Sequence, residues 1–181
     1  TCLPFLVINS IAHHSPGYTV IESHTKAEEY KAYFEGFLKE GKDVLHLCLS
    51  SGISGSYMSA CAAKQELDAK YPDRKLIIVD SLAAASGYGL LMDKLADLRD
   101  AGKTIDEVRD WAEANKNKLH HWFFSTDLTF FIKGGRVSKL SGWLGTALHI
   151  CPLLNVNNEG KLIAREKHRG KAKVIRQIVK K

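Results

Sequence analysis

Three short segments carry side chains whose types and spacing suit an anionic ligand. The first is Leu49-Ser50-Ser51-Gly52-Ile53-Ser54-Gly55-Ser56-Tyr57. Four hydroxyls, two glycines that permit close backbone approach, and the amides of a following helix together suit an anionic head group. The segment lacks the Gly-Lys-Ser/Thr ending of a P-loop and the glycine spacing of a dinucleotide fingerprint. Nor is it Gly-x-Ser-x-Gly, because Ser54 lies within Gly52-Ile53-Ser54-Gly55. A plain helix cap would use the same residue types. The second segment is Lys133-Gly134-Gly135-Arg136-Val137-Ser138-Lys139. Its glycines let the chain turn tightly and present Arg136, whose guanidinium recognises phosphate or carboxylate with two bonds; an ordinary surface loop would read the same way. The third, Lys167-His168-Arg169-Gly170-Lys171, concentrates charge together with Lys161, Arg165, Lys173, Arg176, Lys180 and Lys181. A solvated face is the usual explanation of such a run.

The elements that must position these segments alternate between strand and helix. Cys2–Ile8 reads as a short buried strand without the basic start of a signal peptide. Glu28–Lys39 is a helix with Tyr30, Phe34 and Phe37 at helical spacing, and Val44–Leu49 is the continuous apolar run of a buried parallel strand. The serine-glycine turn then leads into a helix over Tyr57–Lys70, with Ala60, Ala63 and Leu67 facing inward. Leu76–Val79 is a strand, Leu90, Leu91, Leu95 and Leu98 belong to the next helix, and Thr104 with Glu107 three residues on predicts a capping box. This alternation predicts an α/β fold, a parallel sheet with helices on both faces, over residues 1–119.

Beyond residue 119 the pattern changes. Trp122–Thr126 reads as a strand, Ser138 as the cap of a helix through Trp143, Leu144, Ala147 and Leu148, and Pro152–Val156 with Leu162–Lys167 as a hairpin. Lys171–Lys181 is a basic amphipathic helix with Val174, Ile175, Ile178 and Val179 on one face. Residues 120–181 therefore read as part of a second, α+β domain that looks incomplete, in a chain that looks cut at both ends.

Charge divides at the same place. The formal net charge is +6, but residues 1–119 carry 14 basic and 17 acidic side chains, and residues 120–181 carry 12 basic and three acidic. With 45% hydrophobic and 25% charged residues, the composition is that of a globular chain with a real core, which excludes disordered and collagen-like classes. No apolar run approaches the ~20 residues of a membrane span. Cys2, Cys48, Cys61 and Cys151 have no Cys-x-x-Cys spacing. They read as free thiols in a cytoplasmic protein, with no metal site and no cofactor.

Taken together, the three segments resemble the DegV family of bacterial fatty-acid-binding proteins. The matches run in order from the serine-glycine turn through Val79-Asp80-Ser81, Ala85-Ser86-Gly87-Tyr88-Gly89, Leu128, the Gly-Gly-Arg loop, Pro152-Leu153-Leu154, Asn158-Glu159-Gly160-Lys161 and Arg169-Gly170-Lys171 with Lys173. The resemblance implies two domains with a long-chain fatty acid in a tunnel between them, its carboxylate held by hydroxyls. Ser54 matches the family's ligand serine. The family's head-group segment falls, by spacing to the next helix, on Glu22-Ser23-His24. Ser23 matches there, whereas Glu22 replaces a threonine and would repel a carboxylate. Cys151 stands where a lysine is common. The resemblance further implies a non-enzymatic protein, part of phospholipid metabolism, that presents its fatty acid to a separate ATP-dependent fatty acid kinase for acyl-phosphate formation. Arg136 and Arg169 match positions tied to that engagement, and contact with a membrane surface would be transient.

Two rival classes use other features. A nucleic-acid binder would use the basic C-terminal region with Trp122, Phe123, Phe124 and Trp143, though these sit in apolar runs and no recognised motif accompanies them. A serine hydrolase built on Ser54 would need a base from His13, His14, His24, His46, His120, His121, His149 or His168, oriented by a third group.

Overall fold

A computed structural model describes residues 5–9, 26–126, 135–136 and 150–181. Ser23, the helix expected from Ser138 and most of the Gly-Gly-Arg loop lie outside the described residues. Strand β1 (Phe5–Asn9) is followed by α1 (Ala27–Lys39), β2 (Asp43–Cys48), α2 (Ser56–Lys70), β3 (Leu76–Asp80), α3 (Ala85–Asp100) and α4 (Ile105–Asn115). The three strands form a parallel sheet in the order β1-β2-β3, with Val7 opposite Leu45 and Leu45 opposite Ile77.

Strand β2 explains why the sheet is covered twice. Val44 and Cys48 pack with Phe34, Leu38, Ala60 and Leu67 of α1 and α2. Leu45 and Leu47, one pleat away, pack with Leu91, Leu95, Val108 and Ala112 of α3 and α4. Successive side chains point to opposite faces, so an apolar run without alternation requires helices on both sides. The predicted parallel sheet with helices on both faces is the observed one. On the first face Leu38, rather than Phe37, is fully buried, while Phe37 packs at the margin. His46 lies between Tyr30 and Phe34, its ring centroid 5.3 and 5.0 Å from theirs in edge-on contact. The capping box is present: Glu107 N donates to Thr104 Oγ1 and Thr104 N donates to the Glu107 carboxylate.

The second sheet is antiparallel, in the order β4 (Trp122–Phe124), β5 (Ile150–Val156), β6 (Leu162–Arg169). Proline inside a sheet removes a ladder donor. Pro152 is accommodated because β4 pairs only with Leu153–Asn155, one residue further on. Helix α5 (Lys171–Ile178) covers this sheet through Val174, which is fully buried, and Ile178. The expected four-residue apolar face is corrected here. Ile175 is 41% and Val179 81% exposed, because positions 174 and 178 share one stripe and 175 and 179 lie about 100° further round the helix. Lys181 pairs with Glu166 at 2.6 Å and stands over the Trp122 ring, while Glu166 also meets His168 Nε2 at 2.9 Å.

Candidate functional site

The serine-glycine turn joins the carboxyl end of β2 to α2, the edge at which open α/β sheets take ligands. Ser50 carries most of its internal bonding. The Ser50 carbonyl accepts from the amides of Ile53 and Ser54, both at 3.1 Å, and the Ser50 amide donates to Ala83 O at 3.0 Å. Ser51 N donates to Asp80 Oδ1 at 3.1 Å, which also accepts from Leu82 N at 3.1 Å. One carboxylate oxygen at the end of β3 thus binds two adjacent loops together. Leu82 and Ala85 have positive φ (50° and 48°), a conformation costing a non-glycine residue on the order of 1 kcal/mol or more.

Ser54 is partly exposed. Its Oγ accepts from Ser56 N at 3.2 Å and lies 3.0 Å from Ser56 Oγ. When Ser56 donates to Ser54, the Ser54 proton points elsewhere and can meet an acceptor. Among the described residues the Ser54 hydroxyl bonds only to Ser56, and no imidazole is hydrogen-bonded to it as the hydrolase reading would need. Arg136 arrives from the other part of the chain: its Nε donates to Ile53 O at 3.2 Å. Gly135 before it has φ +69°, a left-handed conformation that favours glycine. The structure therefore brings Ser54 and Arg136 to one turn. Arg169 is exposed at the far end of β6, where it pairs in register with Ile150.

Of the four serines, Ser50 is the most enclosed. It is fully buried, and its Oγ donates to Gly160 O at 2.8 Å while accepting from Gly52 N at 3.1 Å. It grips the tip of the β5–β6 hairpin.

Beside this turn lies a cavity of about 700 Å³. Ile53 forms one wall, Ala84 to Gly87 and Leu90 at the start of α3 a second, residues 118–123 a third, and Val156 with Leu162 of the hairpin a fourth. A smaller cavity of about 320 Å³ shares Leu90, Lys118 and Leu119 with it and runs along α3 and α4 to Trp111. The walls are largely apolar. Ser86, Lys118, His120 and His121 are the polar residues among them; His121 is held below the ordinary histidine range first by burial and then by the neighbouring His120. Its Nε2 is buried against Gly87, where a Cβ would come within 1.7 Å of it. The sequence signal for this contact is the glycine inside Ser86-Gly87-Tyr88, whose partner lies 34 residues away. Trp122 and Phe124 pack against α5 and the hairpin, which leaves them poorly placed to stack bases. Among the described residues no group of three histidine, cysteine or acidic side chains is arranged to hold a metal, and no helix is long and apolar enough to cross a membrane.

Fold and cavity define a two-sheet α/β protein with an apolar space between the sheets. The chain belongs to the DegV family: residues 15–181 match the family profile described as "Uncharacterised protein, DegV family". A DegV domain-containing protein of Clostridium perfringens is 41% identical over 145 residues, covering 80% of this chain and 50% of the relative. One from Lactococcus lactis is 37% identical over 165 residues, covering 91% and 57%. The chain thus spans about half the length of the curated relatives it matches. Among solved structures it resembles a Thermus thermophilus DegV family protein described by its fatty acid binding, at TM-score 0.75 and 31% identity, over 87% of this chain and 54% of that one. It also resembles the Streptococcus pneumoniae Fatty Acid Kinase (Fak) B3 protein loaded with linoleic acid, at TM-score 0.76 and 29% identity, over 87% and 55%.

Proposed function

We propose that this chain forms the head-group portion of a fatty-acid-binding protein. It would hold a long-chain acid with its carboxylate at the serine-glycine turn and its tail in the apolar cavity. The observation that carries this reading is that Ile53 belongs to both places: it lines the cavity, and its carbonyl anchors Arg136 beside Ser54. A volume of about 700 Å³ lies within the range of small-molecule sites. A carboxylate leaving water needs donors to offset its desolvation. The Ser54 hydroxyl supplies one, Ser23 a second, and Arg136 with Arg169 face the partner that uses the bound acid. Residues 1–119 and 120–181 act as the two units on either side of the ligand.

The protein itself performs no catalysis in this reading. Its apolar space hides the acyl tail and leaves the carboxyl group at the rim, where a separate kinase of the cytoplasm forms the acyl phosphate. The linoleic-acid-loaded Fak B3 protein and the fatty-acid-binding Thermus relative support both parts of the reading.

Native mass spectrometry of gently purified protein should show a co-purifying acyl chain, and a ligand-free spectrum with no uptake of added oleate would sink the proposal. Ser54→Ala should weaken oleate binding about tenfold, the effect of losing one bond to a charged group. Arg136→Ala and Arg169→Ala should keep oleate bound but slow acyl-phosphate formation by an added fatty acid kinase. Unchanged turnover in both would remove the partner assignment and leave the binding one standing.

A further inference from the structure

The contact between the hairpin tip and the serine-glycine turn is built more tightly than a passive abutment needs. Gly52 faces the tip so closely that a Cβ there would lie 2.6 Å from the Gly160 carbonyl carbon and oxygen. In return, a Cβ on Gly160 would lie 1.9 Å from Ser50 Oγ and 3.2 Å from Leu82. Gly160 has φ +72°, a conformation that itself favours glycine, and its amide donates to Asn157 O at 2.9 Å to close the tip. Three segments distant in sequence thus meet at one buried point: the turn at 50–54, the loop at 81–84 and the tip at 157–160. Ser50 is bonded to all three, through its Oγ to Gly160, its Oγ and carbonyl to Gly52, Ile53 and Ser54, and its amide to Ala83.

The residues of the proposed head-group turn hang directly from this joint. The amides of Ile53 and Ser54 both end on the Ser50 carbonyl, and the Ile53 carbonyl holds Arg136. The tip continues into Val156 and Leu162, which are cavity walls. A movement of the tip therefore displaces the head-group turn and the tail cavity together.

We propose that Ser50 is a positioning residue for the ligand carboxylate: by clasping Gly160 it holds the turn in the shape that presents the Ser54 hydroxyl, without touching the ligand. This rests on the fatty-acid reading. It goes further by assigning the hairpin tip a share in head-group recognition.

The test compares the affinities of oleic acid and oleyl alcohol, which share a tail and differ in the head group, in wild type, Ser50→Ala and Ser50→Cys. Wild type should prefer the acid. Ser50→Ala should lose about tenfold for the acid and less than about twofold for the alcohol, as expected when a buried bond that shapes an anion site is removed. Ser50→Cys, with a weaker donor at the same place, should fall between them and carries the ranking should the alanine variant not fold. Parallel losses for acid and alcohol would reduce Ser50 to a support of the cavity, and an unchanged preference would remove it from recognition; either overturns the inference. Wild type that binds both ligands equally would instead overturn the carboxylate reading itself, and the inference with it. As a second measurement on wild type, oleate should slow amide hydrogen exchange at Ile53, Ser54 and Gly160 together. Protection confined to the turn would show that the tip is not coupled to it.

Discussion

Burial holds the His46 imidazole at about 3, against an ordinary 6.5, so the native protein keeps it neutral. The unfolded chain takes up a proton there below pH 6.5, whereas the native protein does not until far lower. Folding stability linked to His46 is therefore complete above pH 6.5 and is lost progressively as pH falls toward 3. The Glu35 carboxylate, held at about 2 by Lys70, then Tyr71, adds its own loss only below its ordinary 4.5. Urea unfolding of wild type should show a lower midpoint at pH 5 than at pH 7, and His46→Phe should shrink that difference. Equal pH dependence in the two proteins would remove His46 from the acid limb. Gly87 makes a second prediction at this scale. Gly87→Ala should cost roughly 2 kcal/mol by overpacking against His121, read from thermal unfolding, and a second change, His121→Ala, should recover most of it. A destabilisation that His121→Ala does not relieve would mean that the new methyl group strains something else.

At the scale of elements, helix α4 provides a clean test because its cap is exposed and local. Thr104→Ala removes the acceptor for Glu107 N and should cost about 1 kcal/mol, seen as a lower urea midpoint at constant slope. Features of this kind were legible in the sequence. The capping box needs only residues three apart, the β2 run declares two covered faces by failing to alternate, and the Asn157-to-Gly160 turn announces the hairpin. What the sequence hid depended on distant partners. Ser50 reads as one of four equivalent hydroxyls until Gly160, 110 residues away, takes its proton. The same limit applies to α5: helical periodicity places Val174 and Ile175 as neighbours, but only the position of the second sheet decides that the first is buried and the second is not. Strand β6 shows how its charges serve the element. Arg165, Lys167 and Arg169 are exposed in alternate positions along a strand that pairs, among the described residues, only with β5, and like charges there discourage pairing with a foreign strand.

For the whole molecule, the division of charge gains a structural setting. The acidic-leaning part holds the parallel sheet and the turn with Ser54, and the basic part holds the second sheet with Arg136 and Arg169. The two parts meet where the hairpin tip enters the serine-glycine turn, and that meeting has a kinetic meaning. The hairpin can close early, because its strands are joined by five residues, whereas the clasp must bring together residues 110 apart after both layers exist. Contacts that form after the barrier to folding influence mainly how fast the protein comes apart. Stopped-flow measurements on Ser50→Ala should therefore show an unfolding rate raised about tenfold with a folding rate almost unchanged. A slowed folding rate would instead place the clasp inside the folding nucleus. With the clasp outside it, one buried hydroxyl sets the lifetime of the native protein more than the speed at which it is reached.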